Sequence, residues 1–162
     1  MRLLLAALGL AVLCSCRPTP DVEPLPCRDP EPGEAVVGSG NLGSGFQELT
    51  DGDDLLVSFG PQGQHMVTIS LQVWGMEEPL AGGFGSDLSV AMLDDGEIFG
   101  GTVVTMVPSV EEEDYVEFLG LRSIITAAEI GVMTDRPIEI VGVVVDGCGR
   151  ELESSVELVL VE

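Results

Sequence analysis

Three acidic turns carry the densest oxygen donors of the chain: Asp51-Gly52-Asp53-Asp54, Asp94-Asp95-Gly96-Glu97 and Glu111-Glu112-Glu113-Asp114. Calcium takes about six to eight oxygen ligands, and loops gathered at one end of a β-sandwich can supply them. Asp51, Asp53, Asp54, Asp94 and Asp95 are therefore the candidate metal ligands, because like charges this close repel without a cation. The first turn matches part of a calcium loop but lacks the later glutamate at the right spacing, so it is not an EF-hand. The bland alternative is a solvated acidic surface, and the spread of carboxylates over many turns favours it. No cofactor is expected; Ca2+ is the one ion these residues suit.

Other chemistry is thinner. His65 is the single histidine. As a general base it needs a nucleophile and an orienting carboxylate, and no G-x-S-x-G accompanies it. A strand-opening or turn residue is the reading kept. Gly38-x-Gly40-x-x-Gly43 matches the dinucleotide fingerprint as a string. That fingerprint needs a strand before it and a helix after it, whereas here Ser44-Gly45-Phe46 leads into another strand pattern. A glycine-rich connection between strands is expected. Trp74 lies on the less apolar face of its strand, where it either anchors a glycan or protein partner or caps the end of the core; the cap is preferred. With twenty-eight acidic residues, some carboxylate pair meets glycosidase spacing by chance, so pairs carry no information. No triad, metal-ligand set or phosphate loop is visible, and no enzyme is expected.

The elements that would position these residues follow a period of two. Asp54 to Phe59 is a short apolar run, and Gly60-Pro61-Gln62-Gly63-Gln64 is turn chemistry. His65 to Trp74 alternates, with Val67, Ile69, Leu71 and Val73 on one face and Met66, Thr68, Ser70, Gln72 and Trp74 on the other. Residues 77–87 read as a loop. Leu88 to Leu93 is a strand, Asp94-Asp95-Gly96 a hairpin signal, and Glu97 to Val107 the return strand, with a bulge at Gly100-Gly101. Pro108 to Asp114 is an acidic loop and Tyr115 to Ile125 a strand. Ala127, Ala128 and Ile130 suit one helical turn. Pro137 to Val145 is strongly β-branched, Asp146-Gly147-Cys148-Gly149 turns the chain, and Glu151 to Val161 is the last strand.

This makes about seven or eight strands and an all-β, antiparallel β-sandwich. The pattern looks like the immunoglobulin-like modules of secreted bacterial proteins, without the Cys…Trp…Cys spacing of true immunoglobulin domains. A closed barrel is the runner-up.

The N-terminus supplies an address. Met1-Arg2 is a short positive region, and LLLAALGLAVL (Leu3 to Leu13) is an apolar run of eleven residues. A run this short does not span a hydrocarbon core of ~30 Å as a helix; with its positive start and small-residue exit it reads as a secretory signal peptide. Leu13-Cys14-Ser15-Cys16 resembles the lipobox of bacterial lipoproteins, with leucine at −3, a small residue at −1 and then cysteine. The resemblance covers only these first sixteen residues. It implies cleavage before Cys16 and acylation of Cys16, with palmitate among the chains. Several acyl chains at ~0.8 kcal/mol per buried methylene hold a protein stably to a membrane, where one chain does not. Arg17 follows Cys16 where an aspartate would favour inner-membrane retention, which points to the outer membrane.

That frame discards Cys14 with the leader and leaves Cys27 and Cys148. The alternative frame, anchored at Cys14, leaves an odd thiol. Beyond the inner membrane the compartment is oxidising, so a Cys27–Cys148 disulfide is expected. Residues 16–33 form a lipidated, proline-rich tether in extended conformation, after a signal peptide over 1–15 and before a β-sandwich domain over 34–162. The full chain carries a net charge of −22, every basic residue is arginine, and loss of the leader removes Arg2. Such charge excludes nucleic acid and anionic headgroups as partners. The expected protein is a non-enzymatic lipoprotein of the cell envelope serving as a structural or protein-interaction module. Its membrane link is the lipid anchor, its partner another envelope protein, and a calcium- or ligand-binding module is the alternative.

Overall fold

The computed structural model describes residues 33–60, 63–76, 86–106, 109–125, 130–131 and 133–162. Eleven strands follow one another: β1 (Glu34–Asn41), β2 (Gly45–Glu48), β3 (Asp54–Leu56), β4 (Ser58–Phe59), β5 (His65–Trp74), β6 (Ser86–Asp94), β7 (Glu97–Met106), β8 (Val110–Glu111), β9 (Tyr115–Ile125), β10 (Pro137–Val145) and β11 (Glu151–Val161). They join in one sheet ordered β2-β1-β5-β9-β7-β6-β10-β11-β3, with β4 on β5 and β8 on β9. The described body is all-β, as expected. The leader and all of the tether but residue 33 lie outside the described residues, as do residues 77–85 of the expected loop.

The long strands obey their periodicity. Val67, Ile69, Leu71 and Val73 of β5 are fully buried, and Ile138, Ile140 and Val144 of β10 face the same core. Asp95 and Gly96 close the β6–β7 hairpin at φ 50° and 81°, the positive pair a two-residue type I′ turn requires. A register shift between Met92 and Leu93, whose partners are Gly100 and Ile98, puts the bulge of β7 at Phe99, one residue before the expected Gly100-Gly101. Ile130 and Met133 sit in helical backbone and are buried against the core.

Four expectations need correction. The strand count is eleven rather than seven or eight. The sheet is mixed rather than antiparallel, because β3 runs parallel to β11. The run Asp54 to Phe59 also splits in two, since β3 joins β11 while β4 joins β5. The cause is the preceding turn. Gly52 N–H donates to the Glu157 carbonyl at 2.8 Å, and Asp51 Oδ1 accepts from Glu157 N–H at 3.0 Å. These bonds fix the chain onto β11 in the parallel sense. The glycine-rich stretch, expected as a connection, is instead the strand β1 and its hairpin to β2. Its glycines make room: a β-carbon on Gly38 would collide with the Phe46 ring, so the large ring of β2 packs over bare backbone.

The sheet folds over on itself. β7 meets β9 through one register pair, Gly101 with Ile124. Beyond that narrow join, strands that are not hydrogen-bonded neighbours meet through the core. A β-carbon at Gly142 of β10 would stand 2.5 Å from Leu71 Cδ2 of β5 and 3.3 Å from Val37 Cγ2 of β1. The buried residues of both halves form a single hydrophobic cluster.

Candidate functional site

One built region lies where β1 begins. Glu34 pairs in register with Trp74, so the chain enters the body at the C-terminal end of β5. Asp146 and Arg150 shape the turn beside it. Asp146 Oδ1 accepts the backbone N–H groups of Cys148 and Arg150, both at 2.9 Å. Asp146 Oδ2 takes the Arg150 Nε at 2.8 Å, with the aspartate side chain fully buried. Arg150 then donates from Nη2 to the Gly75 carbonyl, tying the β10–β11 turn to the end of β5. A buried carboxylate demands such a set of donors, because it cannot draw on water. Cys148, inside this turn, is not a free side chain; Cys14, Cys16 and Cys27 lie outside the described residues.

Trp74 stands at the same end. It is half-buried, with its ring 5.9 Å from that of Tyr115, its partner across β9. Beside them Gln72 Nε2 donates to Glu117 Oε1 at 3.1 Å. Trp74 and Tyr115 are both half-buried, at the end of β5 and the start of β9.

The candidate metal ligands are dispersed and partly occupied. Asp53 Oδ2 accepts from the Thr50 N–H at 2.8 Å and from its hydroxyl at 3.0 Å, and Asp51 is committed to β11. Asp94 pairs with Arg136 at 3.0 Å. Asp95 is in the tight turn, and Asp54 opens β3 on another face. Asp94, Asp95, Arg136, Glu139 and Glu157 line a hollow of about 230 Å³, within which Glu139 and Glu157 are direct cross-strand partners. Among the described residues no group of three or more His, Cys, Asp or Glu is placed to hold a metal ion.

His65 opens β5 opposite Ile125, with its ring 4.7 Å from that of Phe59. It makes no hydrogen bond to a carboxylate among the described residues. Gly38 and Gly40 belong to β1 and Gly43 to its turn, and β2 follows rather than a helix, so the dinucleotide fingerprint has no βαβ unit around it.

Sequence reasoning missed two features. The Asp146–Arg150 clamp sits four residues apart across a turn, and only its tertiary contact with Gly75 reveals its role. The second is a hollow beside Arg122, made by strands distant in sequence. No protein-family model matches the chain, and no curated protein matches it either.

Proposed function

We propose that the chain is a membrane-anchored lipoprotein of the cell envelope, held in the outer membrane through Cys16, whose body is a structural or protein-interaction module without enzymatic activity. The observation that carries this reading is Leu13-Cys14-Ser15-Cys16 after an apolar leader. The folded sheet supports an immunoglobulin-like sandwich as the architecture of the module, since its two halves bury one common core. A disulfide between Cys27 and Cys148 is part of the proposal. Residue 33 lies against Leu152 and the Trp74 carbonyl, close in the chain to Cys148, and the six residues from Cys27 to Gly33 reach about 20 Å when extended. The staple would leave about ten tether residues between body and lipid, spanning about 30 Å in polyproline conformation.

The test is fatty-acid labelling in intact cells. Wild-type protein should take up labelled palmitate and C16A should not; labelling that persists in C16A overturns the frame. A pull-down from solubilised envelopes should recover a specific envelope protein, and a consistently empty eluate counts against the interaction role.

A second reading, calcium binding, keeps one pair of facing carboxylates, Glu139 and Glu157 across β10 and β11, since the described residues hold no larger group placed for a metal. Like charges directly opposite one another destabilise a sheet, and a cation between them would relieve that. A melting temperature unchanged at millimolar calcium sinks it.

A further inference from the structure

We propose that the hollow bounded by β1, β3, β5 and β9 binds a small zwitterion, an amino acid or short peptide carrying both a free carboxylate and a free ammonium group. The hollow measures about 460 Å³ and is lined by Asn41, Asp54, Leu56, Ser58, Thr68 and Arg122 among others. That volume suits a small ligand.

One charge in it, the arginine, differs from the other two described arginines. Arg136 and Arg150 are each paired with an aspartate at 3.0 and 2.8 Å. Arg122 is set on β9 opposite Thr68 of β5, and its exposed side chain makes no ion pair or hydrogen bond with any described residue. The Asp54 side chain is likewise without a partner among the described residues. Both line the same hollow, yet they do not approach within the 4.0 Å of an ion pair. Two opposite charges that share a hollow and leave each other unpaired match a ligand bearing both complements. Guanidinium takes a carboxylate in a two-pronged geometry, and Asp54 takes the ammonium. Ser58, whose hydroxyl donates to the Met66 carbonyl at 3.2 Å, and Thr68 line the same hollow.

The charge of the whole chain narrows the class. At −22 the protein repels anions at long range, and Asp54 repels them again inside the hollow. A carboxylate alone meets both penalties, whereas a zwitterion meets neither.

The hollow is built by backbone features. β1 pairs with β5 only as far as Gly38 and Ser70, then leaves to join β2. The register of β5 on β9 shifts there, with Ile69 facing Leu121 and Leu71 facing Phe118. Ser70 thus stands opposite both Leu119 and Gly120, and Gly120 takes φ 77°. Buried Ser70 Oγ accepts from Gly120 N–H and donates to the Gly40 carbonyl, both at 3.2 Å. The bulge and the departing strand are stitched together, and a bulge of this kind re-aims the side chains that flank it. This inference is independent of the lipid anchor.

The experiment uses the full-length protein with alanine and the dipeptide Ala-Ala as probes, followed by amide chemical shifts. N-acetyl-Ala-Ala, which lacks the ammonium, and Ala-Ala amide, which lacks the carboxylate, serve as controls. Thr68 and Gly120 amides should shift saturably with a probe Kd of about 1 mM. Each blocked peptide should bind at least about tenfold more weakly, and R122Q and D54N should each weaken Ala-Ala by about tenfold with melting temperature unchanged. Three results overturn the proposal: neither probe saturates these amides by about 50 mM, the blocked peptides bind as well as Ala-Ala, or R122Q binds unchanged.

Discussion

Arg150 and Arg122 are the same residue type in one strongly acidic body, yet the fold treats them oppositely. Arg150 is clamped at the C-terminal end of β5, its guanidinium divided between buried Asp146 and the Gly75 carbonyl. Arg122 lies nearer the other end of β5, unpaired, with unpaired Asp54 in the same hollow. The difference separates a charge spent on holding the chain together from one left available to something outside it. It also divides the body: the end where β1 begins is braced, and the far end carries the unpaired arginine.

The comparison breaks most visibly at the staple. C148A should cost about 4 kcal/mol under oxidising conditions, the scale for closing a loop of this length, and almost nothing once reductant is present. Denaturant unfolding with and without reductant checks this; equal midpoints for wild type in both conditions would remove the staple. The clamp comes next. D146A strands Arg150 beside the core and deprives two backbone N–H groups of their acceptor, so a loss of about 3 kcal/mol is expected from the unfolding midpoint.

A smaller effect with the opposite sign is expected at Ser123. Its hydroxyl is fully buried and finds no hydrogen-bond partner among the described residues. S123A removes an unsatisfied group, and stability should stay level or rise by about 0.5–1 kcal/mol. The smallest effect belongs to Arg122. R122Q should move stability by less than about 0.5 kcal/mol, because no described contact is lost. A large destabilisation there would erase the contrast with Arg150.

What the sequence made legible follows the same division. β5, β9, β10 and β11 were readable because each buries one face, so burial imposes a period of two on their residues. The β6–β7 turn was readable because only a few residue pairs tolerate two positive φ values. β1 escaped because Gly38 and Gly40 erase the alternation; bare backbone at Gly38 admits the Phe46 ring and at Gly40 the Gly45 carbonyl, contacts no local pattern records. The split of β3 from β4 escaped because it depends on Asp51 and Gly52 bonding Glu157, over a hundred residues away in the chain. The hollow escaped for a related reason. Asp54 stood out only as a candidate calcium ligand, and nothing local to β9 marked Arg122. Their relation arises from the Ser70–Gly120 bulge and the departure of β1, which are tertiary events.

The proposed design, a body stapled at one end to a short lipidated leash, is tested most directly by mass spectrometry of the protein recovered from the envelope and digested without reduction. The account predicts an N-terminal peptide that begins at Cys16 and carries acyl chains, together with a Cys27–Cys148 linked pair. An unacylated N-terminus, or Cys27 and Cys148 recovered as separate thiols, would contradict it.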